Sequence, residues 1–346
     1  MEITRMHKVH VHLIESAGTL ICRHGGSVFM DVSDVLGVPV SMPVLVLVLA
    51  IAIDLIAGEM PNTVHPVVWL GTLIYRILGW CERTDKRYHR ICGLVLVLIC
   101  VSCAATTGVL LILLAEWHSL IGIVLMAYFL KSTFSIRSLV SSSNRIYRDL
   151  SANDIGGARK DLLSLVSRDA GGLDEPKIVS AAIESTAENY VDSILSPILY
   201  FAVFGLPGAL VYKTVNTLDS MVGYRNERFS AIGFTSAKLD DIANWIPARL
   251  SVFFILLPSF RFSPWSALRV CLRDHALPVS PNSGYPMAMV AGALGCRLEK
   301  PGSYVLGREY PDPSPHHILR ANWVVMLASF LLIAVVVVAV AVIRYP

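Results

Sequence analysis

Charge is what this 346-residue chain has least of: 29 Lys and Arg and 26 Asp and Glu make up 16% of it, where soluble domains approach a quarter. The net charge of +3, with no Lys/Arg-rich block or stacking-aromatic pattern, excludes a nucleic-acid partner. There is no G-x-x-x-x-G-K-[ST], no G-x-G-x-x-G after a strand, no H-E-x-x-H and no G-x-S-x-G. Any nucleotide must therefore bind outside the common soluble motifs, and zinc-protease and serine-hydrolase sites are excluded. Seven scattered cysteines imply no disulfide framework, and Cys100 and Cys103 form a C-x-x-C inside an apolar run, where thiols serve as small hydrophobes. Residues 1–42 lack the order of a signal peptide and read as a loose extension, or as an early start with Met42 the true one. The HKVHVHL within them has no carboxylate or cysteine to complete a metal site.

What is abundant is apolar surface. Hydrophobic residues make up 54% of the chain and the mean hydropathy is +0.60, which indicates an all-α polytopic membrane protein. Apolar runs cover Val38 to Ala57, Ile91 to Ala115, Leu120 to Leu130, Ile194 to Tyr212, Trp245 to Phe260 and Trp323 to Ile343. A helical span needs about 20 such residues, so the first, second and last qualify outright. Residues 43–346 read as one membrane-embedded domain whose terminal span is about 323–343. Arg and Lys collect after the first run (Arg76, Arg83, Lys86, Arg87, Arg90) and after the third (Arg137, Arg145, Arg148, Arg159, Lys160, Arg168). The positive-inside rule puts both groups on the cytoplasmic face of the cell membrane, with a cytoplasmic helical segment over about 132–193. A full crossing by Ile194 to Tyr212 would strand the polar stretch around Arg225, Arg228 and Lys238 outside. Gly205, Pro207 and Gly208 interrupt that run, so it is expected to dip in and return as re-entrant half-helices.

Polar chemistry is concentrated in a few places. AAIESTAENYVDSI puts Glu184, Glu188 and Asp192 at i, i+4 and i+8, a stripe of like charge that is destabilising unless something offsets it. A hard cation such as Mg²⁺ would do so, and the plain alternative is a solvated helix face. The pattern recurs in NTLDSMVGYRNER, with Asn216, Asp219, Arg225 and Arg228, and in LDDIANWIPARL, with Asp240, Asp241, Asn244 and Arg249. Acids and arginines at membrane entrances are functional-site candidates. Upstream, DLIAGEMPNTVHP carries Asp54 and a turn-held His65 between prolines. SPNSGYP reads as a plain connector.

Taken together, DLIAGEMPNTVHPVVWLG, SRDAGGLDEPKIVSAAIESTAENYVDSILSPILY, PGALVYKTVNTLDSMVGYRNERF, KLDDIANWIPARL and SPNSGYPMAMVAGALG resemble the CobD/CbiB family of cobalamin biosynthesis, in order and in spacing. The family usually has Gly-Arg-Asp where this chain has Ser167-Arg168-Asp169, and often an acid where Met287 stands. The resemblance implies an adenosylcobinamide-phosphate synthase. Such a ligase uses ATP and Mg²⁺ to join the propionate carboxyl of adenosylcobyric acid to the amine of aminopropanol or its O-phosphate. A carboxylate is a poor electrophile and must first be activated, as an acyl phosphate, beside metal and cationic groups. On that basis Glu184, Glu188, Asp219, Asp240 and Asp241 are assigned to Mg²⁺, and Arg168, Lys213, Arg225 and Arg228 to phosphates. Asn189, Asn216 and Asn244 are assigned to corrin amides, and Asp192 and His65 are the candidate bases.

Three other classes are weighed against this. A membrane sensor, like the ampicillin-resistance signalling proteins, has no need for Glu184, Asp219 and Asp240 together. A prenyl or nucleotide-alcohol transferase should show D-D-x-x-D or D-G-x-x-A-R, which LDDIAN only echoes. A transporter sits poorly with so few complete spans. The re-entrant arrangement has a direct test: a cysteine placed at Arg225 or Lys238 is expected to resist an impermeant thiol reagent in intact cells, and labelling from outside overturns it.

Overall fold

In an apolar surrounding a chain segment must satisfy its own backbone polar groups, and runs of aliphatic side chains do so as α-helix. The computed structural model describes residues 41–166, 170–224 and 226–343, and their regular secondary structure is helical with one small exception. Helix α1 covers Ser41–Ala57, α2 Pro66–Cys81, α3 His89–Trp117, α4 Ser119–Lys131 and α5 Ile136–Ser151. The short α6 (Ile155–Leu162) leads to α7 (Glu175–Tyr190), a π-turn at Val191–Leu195, and α8 (Ser196–Val222). Then come α9 (Phe234–Ala243), α10 (Trp245–Ser259), α11 (Pro264–Asp274), α12 (Gly284–Leu294) and α13 (Pro315–Ile343). The exception is an antiparallel pair, β1 (Leu298–Lys300) and β2 (Tyr304–Leu306), with Leu298 opposite Leu306. The expected N-terminal extension lies outside the described residues save for its last two positions.

Among the described residues, five helical stretches are long and apolar enough to cross a membrane: Lys86–Trp117, Ser119–Ser151, Glu175–Val222, Phe234–Ser259 and Pro315–Ala341. The protein is an all-α polytopic membrane protein, as its composition indicates. The structure adds an element that the sequence reading left out. The apolar helix α2 follows His65, which caps it by accepting from Val67 N at 3.2 Å, with Pro66 in its first turn. Helix α5, within the helical segment expected over about 132–193, has its apolar residues Ile136, Leu139, Ile146 and Leu150 on one buried face.

The stretch Glu175–Val222 is not one rod. At Gly205 the backbone takes φ 66° and ψ −162°, a region open essentially to glycine alone, and the chain doubles back. Residues 200 and 212 of an unbroken helix would stand about 18 Å apart. Here the Tyr200 and Tyr212 rings stack with centroids 5.0 Å apart, and the Tyr212 hydroxyl lies 3.3 Å from the carbonyl oxygen of Asp192. The half-helices expected from Gly205 and Pro207 are therefore present. The tip of the reversal is seated on α3, where a Cβ on Gly108 would come within 2.6 Å of Pro207 Cα. The return arm then lies along α3 and α2 through a core of Ile74, Leu78, Leu96, Val97, Leu218 and Val222.

Replacing Gly205 by Val forces a β-branched residue into positive φ and is expected to cost about 1–3 kcal/mol. Gly108→Leu should also lower the unfolding temperature of the detergent-solubilised protein, through its clash with Pro207. Gly71→Ala, whose added methyl would meet only Met221 Sδ at an ordinary 3.7 Å, should not.

Candidate functional site

The reversal sets three helices face to face. The end of α7 and the π-turn carry Glu188 and Asp192, the return arm of α8 carries Lys213, Asn216 and Asp219, and α9 carries Asp240 and Asp241. Their charges act on one another: Asp192 feels Asp240, Glu188, Lys213 and Asp219, and Asp219 feels Asp240, Asp241 and Glu188. Asn244, between α9 and α10, organises the centre. Its Oδ1 accepts from Ser196 Oγ and Tyr212 OH, both at 2.8 Å, and its Nδ2 donates to Asp240 Oδ2 at 3.0 Å. The other oxygen of Asp240 accepts from Asn216 Nδ2 at 3.4 Å. Asp240 is thus oriented by two amides before any ligand arrives. All the groups here are oxygen donors apart from Lys213 and the amides. Among the described residues, no three His, Cys, Asp or Glu side chains stand as a finished metal site.

The other sequence candidates are distributed differently. Glu184 is buried, and its two oxygens accept from Ser180 Oγ at 2.8 Å and Tyr304 OH at 2.9 Å. Ser180 in turn receives the Glu299 amide at 2.6 Å, so Glu184 ties α7 to the β-hairpin. Asn189 bonds along its own helix, Nδ2 donating to Ser185 O at 2.9 Å. Arg228 is not brought to the acids: its guanidinium forks onto Glu82 at 2.6 and 3.2 Å and holds that carboxyl below its ordinary range. Asp241 has Lys238 at 3.6 Å and accepts at its backbone oxygen from Asn282 Nδ2 at 2.8 Å. Asn282 also accepts from Arg249 at 3.1 Å, so SPNSGYP is a strut beneath the α9–α10 junction and not a mere connector. Arg168 and Arg225 lie outside the described residues.

A second polar cluster borders the first, and sequence reasoning missed half of it. Lys131, fully buried at the end of α4, has Asp54 Oδ1 at 3.0 Å and Glu59 Oε2 at 3.3 Å. The Asp54 contact is an ion pair misaligned for a hydrogen bond, while Asp54 Oδ2 accepts from the Ile136 and Arg137 amides at 3.1 and 3.0 Å and so caps α5. Glu59 Oε2 accepts from Ser135 Oγ at 3.0 Å, and Glu59 Oε1 accepts from His65 Nε2 at 2.7 Å. Because His65 Nδ1 already accepts from Val67, its Nε2 carries the proton, and both ring nitrogens are engaged. Burial alone would raise the Glu59 carboxyl, but His65, Lys131 and Ser135 hold it below its ordinary 4.5, at about 2. Lys213 lies in the field of both Glu59 and Asp192, which makes the two clusters electrostatic neighbours. The available signal for Lys131 was a single cation closing an apolar run, a pattern that ordinarily marks a charge reaching for the interface.

The fold and this centre define a class: a multi-pass helical membrane protein that gathers acids and a lysine at a helix reversal. The chain belongs to the CobD/CbiB family, whose pattern, described as CobD/Cbib protein, matches residues 47–325. It is 40% identical over 294 residues to the probable cobalamin biosynthesis protein CobD of Methanothrix thermoacetophila, covering 81% of this chain and 91% of the relative. It is 40% identical over 280 residues to the cobalamin biosynthesis protein CobD of Dehalococcoides mccartyi, with 79% and 90% covered. The probable CobD of Methanothermobacter thermautotrophicus is 42% identical over 266 residues, with 76% and 86% covered. No solved structure matches the chain.

Removing one partner from a buried ion pair leaves the other uncompensated, so Lys131→Met is expected to destabilise the protein by about 3–5 kcal/mol in thermal unfolding. Arg228→Ala, which breaks an exposed pair, should leave the unfolding temperature unchanged. The depressed Glu59 carboxyl contributes stability that is present above about pH 4.5 and is lost as pH falls toward about 2. Glu59→Gln should remove that part of the acid dependence.

Proposed function

We propose that this protein acts in cobalamin biosynthesis as a ligase of the adenosylcobinamide-phosphate synthase type. It joins the amine of aminopropanol or its O-phosphate to the propionate carboxyl of adenosylcobyric acid, with ATP and Mg²⁺. Membership of the CobD/CbiB family and the names of the relatives support the pathway. The observation that carries the site is the convergence of Glu188, Asp192, Asp219 and Asp240 from three separate segments, with Lys213 beside Asp192 and Asp240.

Glu188, Asp219, Asp240 and Asp241 are the residues to hold Mg²⁺, and Glu184, engaged by Ser180 and Tyr304, is left out of that set. Oxygen donors suit a hard cation. An incomplete cage suits Mg²⁺ in particular, because it keeps waters and substrate phosphates among its ligands. Once bound, the ion supplies positive charge against the transferring phosphoryl group. Lys213, in the field of Asp192 and Asp240, is the residue to meet a phosphate oxygen. The amine must lose a proton to attack; we assign that role to Asp192 over His65, whose two nitrogens already hold Glu59 and Val67. Asn216 and Asn244 hold Asp240 in one orientation, which spares reorganisation at the moment of reaction. ATP and the substrates are cytosolic, so this reading puts the protein in the cell membrane with the acids facing the cytoplasm.

The deciding assay supplies membranes with adenosylcobyric acid, ATP, Mg²⁺ and either amine, and detects the product by mass. Product is expected with one amine, lost without Mg²⁺, and lowered at least about 100-fold by Asp219→Ala with the protein still inserted. Near-normal turnover by Asp219→Ala overturns the assignment.

A further inference from the structure

The π-turn at Val191–Leu195 is the irregular feature closest to the proposed chemistry, and it carries Asp192. A π-turn widens the helix, so the Ser196 amide reaches back to Val191 O, and carbonyls in between become available to outside donors. Two successive ones are taken. The Asp192 oxygen lies 3.3 Å from the Tyr212 hydroxyl, which it shares with Asn244, and the Ser193 oxygen accepts from the Ser135 amide at 3.0 Å. Ser135 is itself fixed. Its hydroxyl donates to Glu59 Oε2, the oxygen that also receives Lys131 Nζ, and Lys131 is anchored against Asp54 at the start of α5. A continuous set of contacts therefore runs from the wholly buried Asp54 and Lys131 to the backbone beside Asp192.

We infer that Glu59, Lys131 and Ser135 are positioning residues that clamp the π-turn and so fix where the Asp192 carboxylate points. None of them touches Asp192. Their effect passes through one backbone hydrogen bond, on a turn that would otherwise relax toward regular helix and rotate Asp192 by a fraction of a turn. The inference rests on the proposed function only for its kinetic consequence, since the clamp is a statement about backbone order.

Two measurements on the full-length protein in membranes or detergent test it. The first is amide hydrogen exchange, read by mass spectrometry on peptides covering residues 187–197, in wild type, Ser135→Ala, Glu59→Ala and the distant Arg228→Ala. Ser135→Ala and Glu59→Ala are expected to speed exchange in that segment while α3 and α13 stay as protected as in wild type. Arg228→Ala should leave it alone. The second is synthase kinetics: a fall in kcat of about tenfold or more, with KM for ATP and amine held within about twofold, and partial recovery when Glu59→Gln replaces Glu59→Ala. Unchanged exchange over 187–197 overturns the clamp, and so does a general rise across all helices, which marks unfolding. A matched loss in KM with kcat intact overturns the positioning role. Wild-type membranes without synthase activity would remove the functional reading, while the exchange result still decides the clamp.

Discussion

Without a residue able to hold φ 66° at position 205, the helix that begins at Ser196 would run straight on, and Lys213, Asn216 and Asp219 would lie far from Asp192. The reversal folds the second half of that helix against the first, stacks Tyr212 on Tyr200 and brings its hydroxyl to Asn244. Asn244 already holds Asp240 four residues back on α9, so its contact with Tyr212 joins that third helix to the group. The approach of Pro207 to Gly108 fixes where along α3 the turn is made, and the packing of Leu218 and Val222 on Leu96 and Val97 fixes the angle of return. A constraint on two dihedral angles is thereby converted into the meeting of residues scattered over some fifty positions of sequence.

The two polar clusters obey opposite rules. Around Lys131 every charge is answered: Asp54 by two amides and an ammonium, Glu59 by the same ammonium, a hydroxyl and an imidazole. Buried charges persist in structural roles only when compensated in this way. Around Asp219 the largest electrostatic influences are all acids, Asp240, Asp241 and Glu188, and the strongest opposite charge at Asp192 is Lys213. The first cluster is therefore balanced within itself, while the second carries more acids than cations. His65 sits in the first cluster, where its ring nitrogens meet the Val67 amide at the start of α2 and the Glu59 carboxylate.

Much of this was legible in the sequence, for local reasons. The spacing of Glu188 and Asp192, the acids of NTLDSM and LDDIAN, and the breaker residues Gly205 and Pro207 are all short-range signals, and each corresponds to a real feature. What was not legible depends on partners remote in sequence. Nothing near Lys131 announces that Asp54 and Glu59 will meet it, and nothing near Arg228 announces that Glu82 will take it away from the acids. Asn282 looked like turn chemistry because Ser, Pro and Gly surround it, yet its amide is spent on Asp241 and Arg249.

The stripe of Glu184, Glu188 and Asp192 shows how far local periodicity carries. Regular spacing of four places side chains on one face only while the helix keeps about 100° per residue. Through Tyr190 that holds, so Glu184 and Glu188 share a face, but a face long enough to meet two different neighbours: Glu184 reaches the hairpin at Tyr304, and Glu188 lies beside the acids. At Val191 the helix widens into a π-turn, and Asp192 takes its direction from whatever holds that turn. The turn's carbonyls are met by Ser135, ahead of α5, and by Tyr212, on the return arm of α8. A like-charge stripe that helix geometry alone would make uniformly unfavourable is thus resolved into three environments, with its repulsion relieved at Glu184 by hydroxyl donors and retained between Glu188 and Asp192.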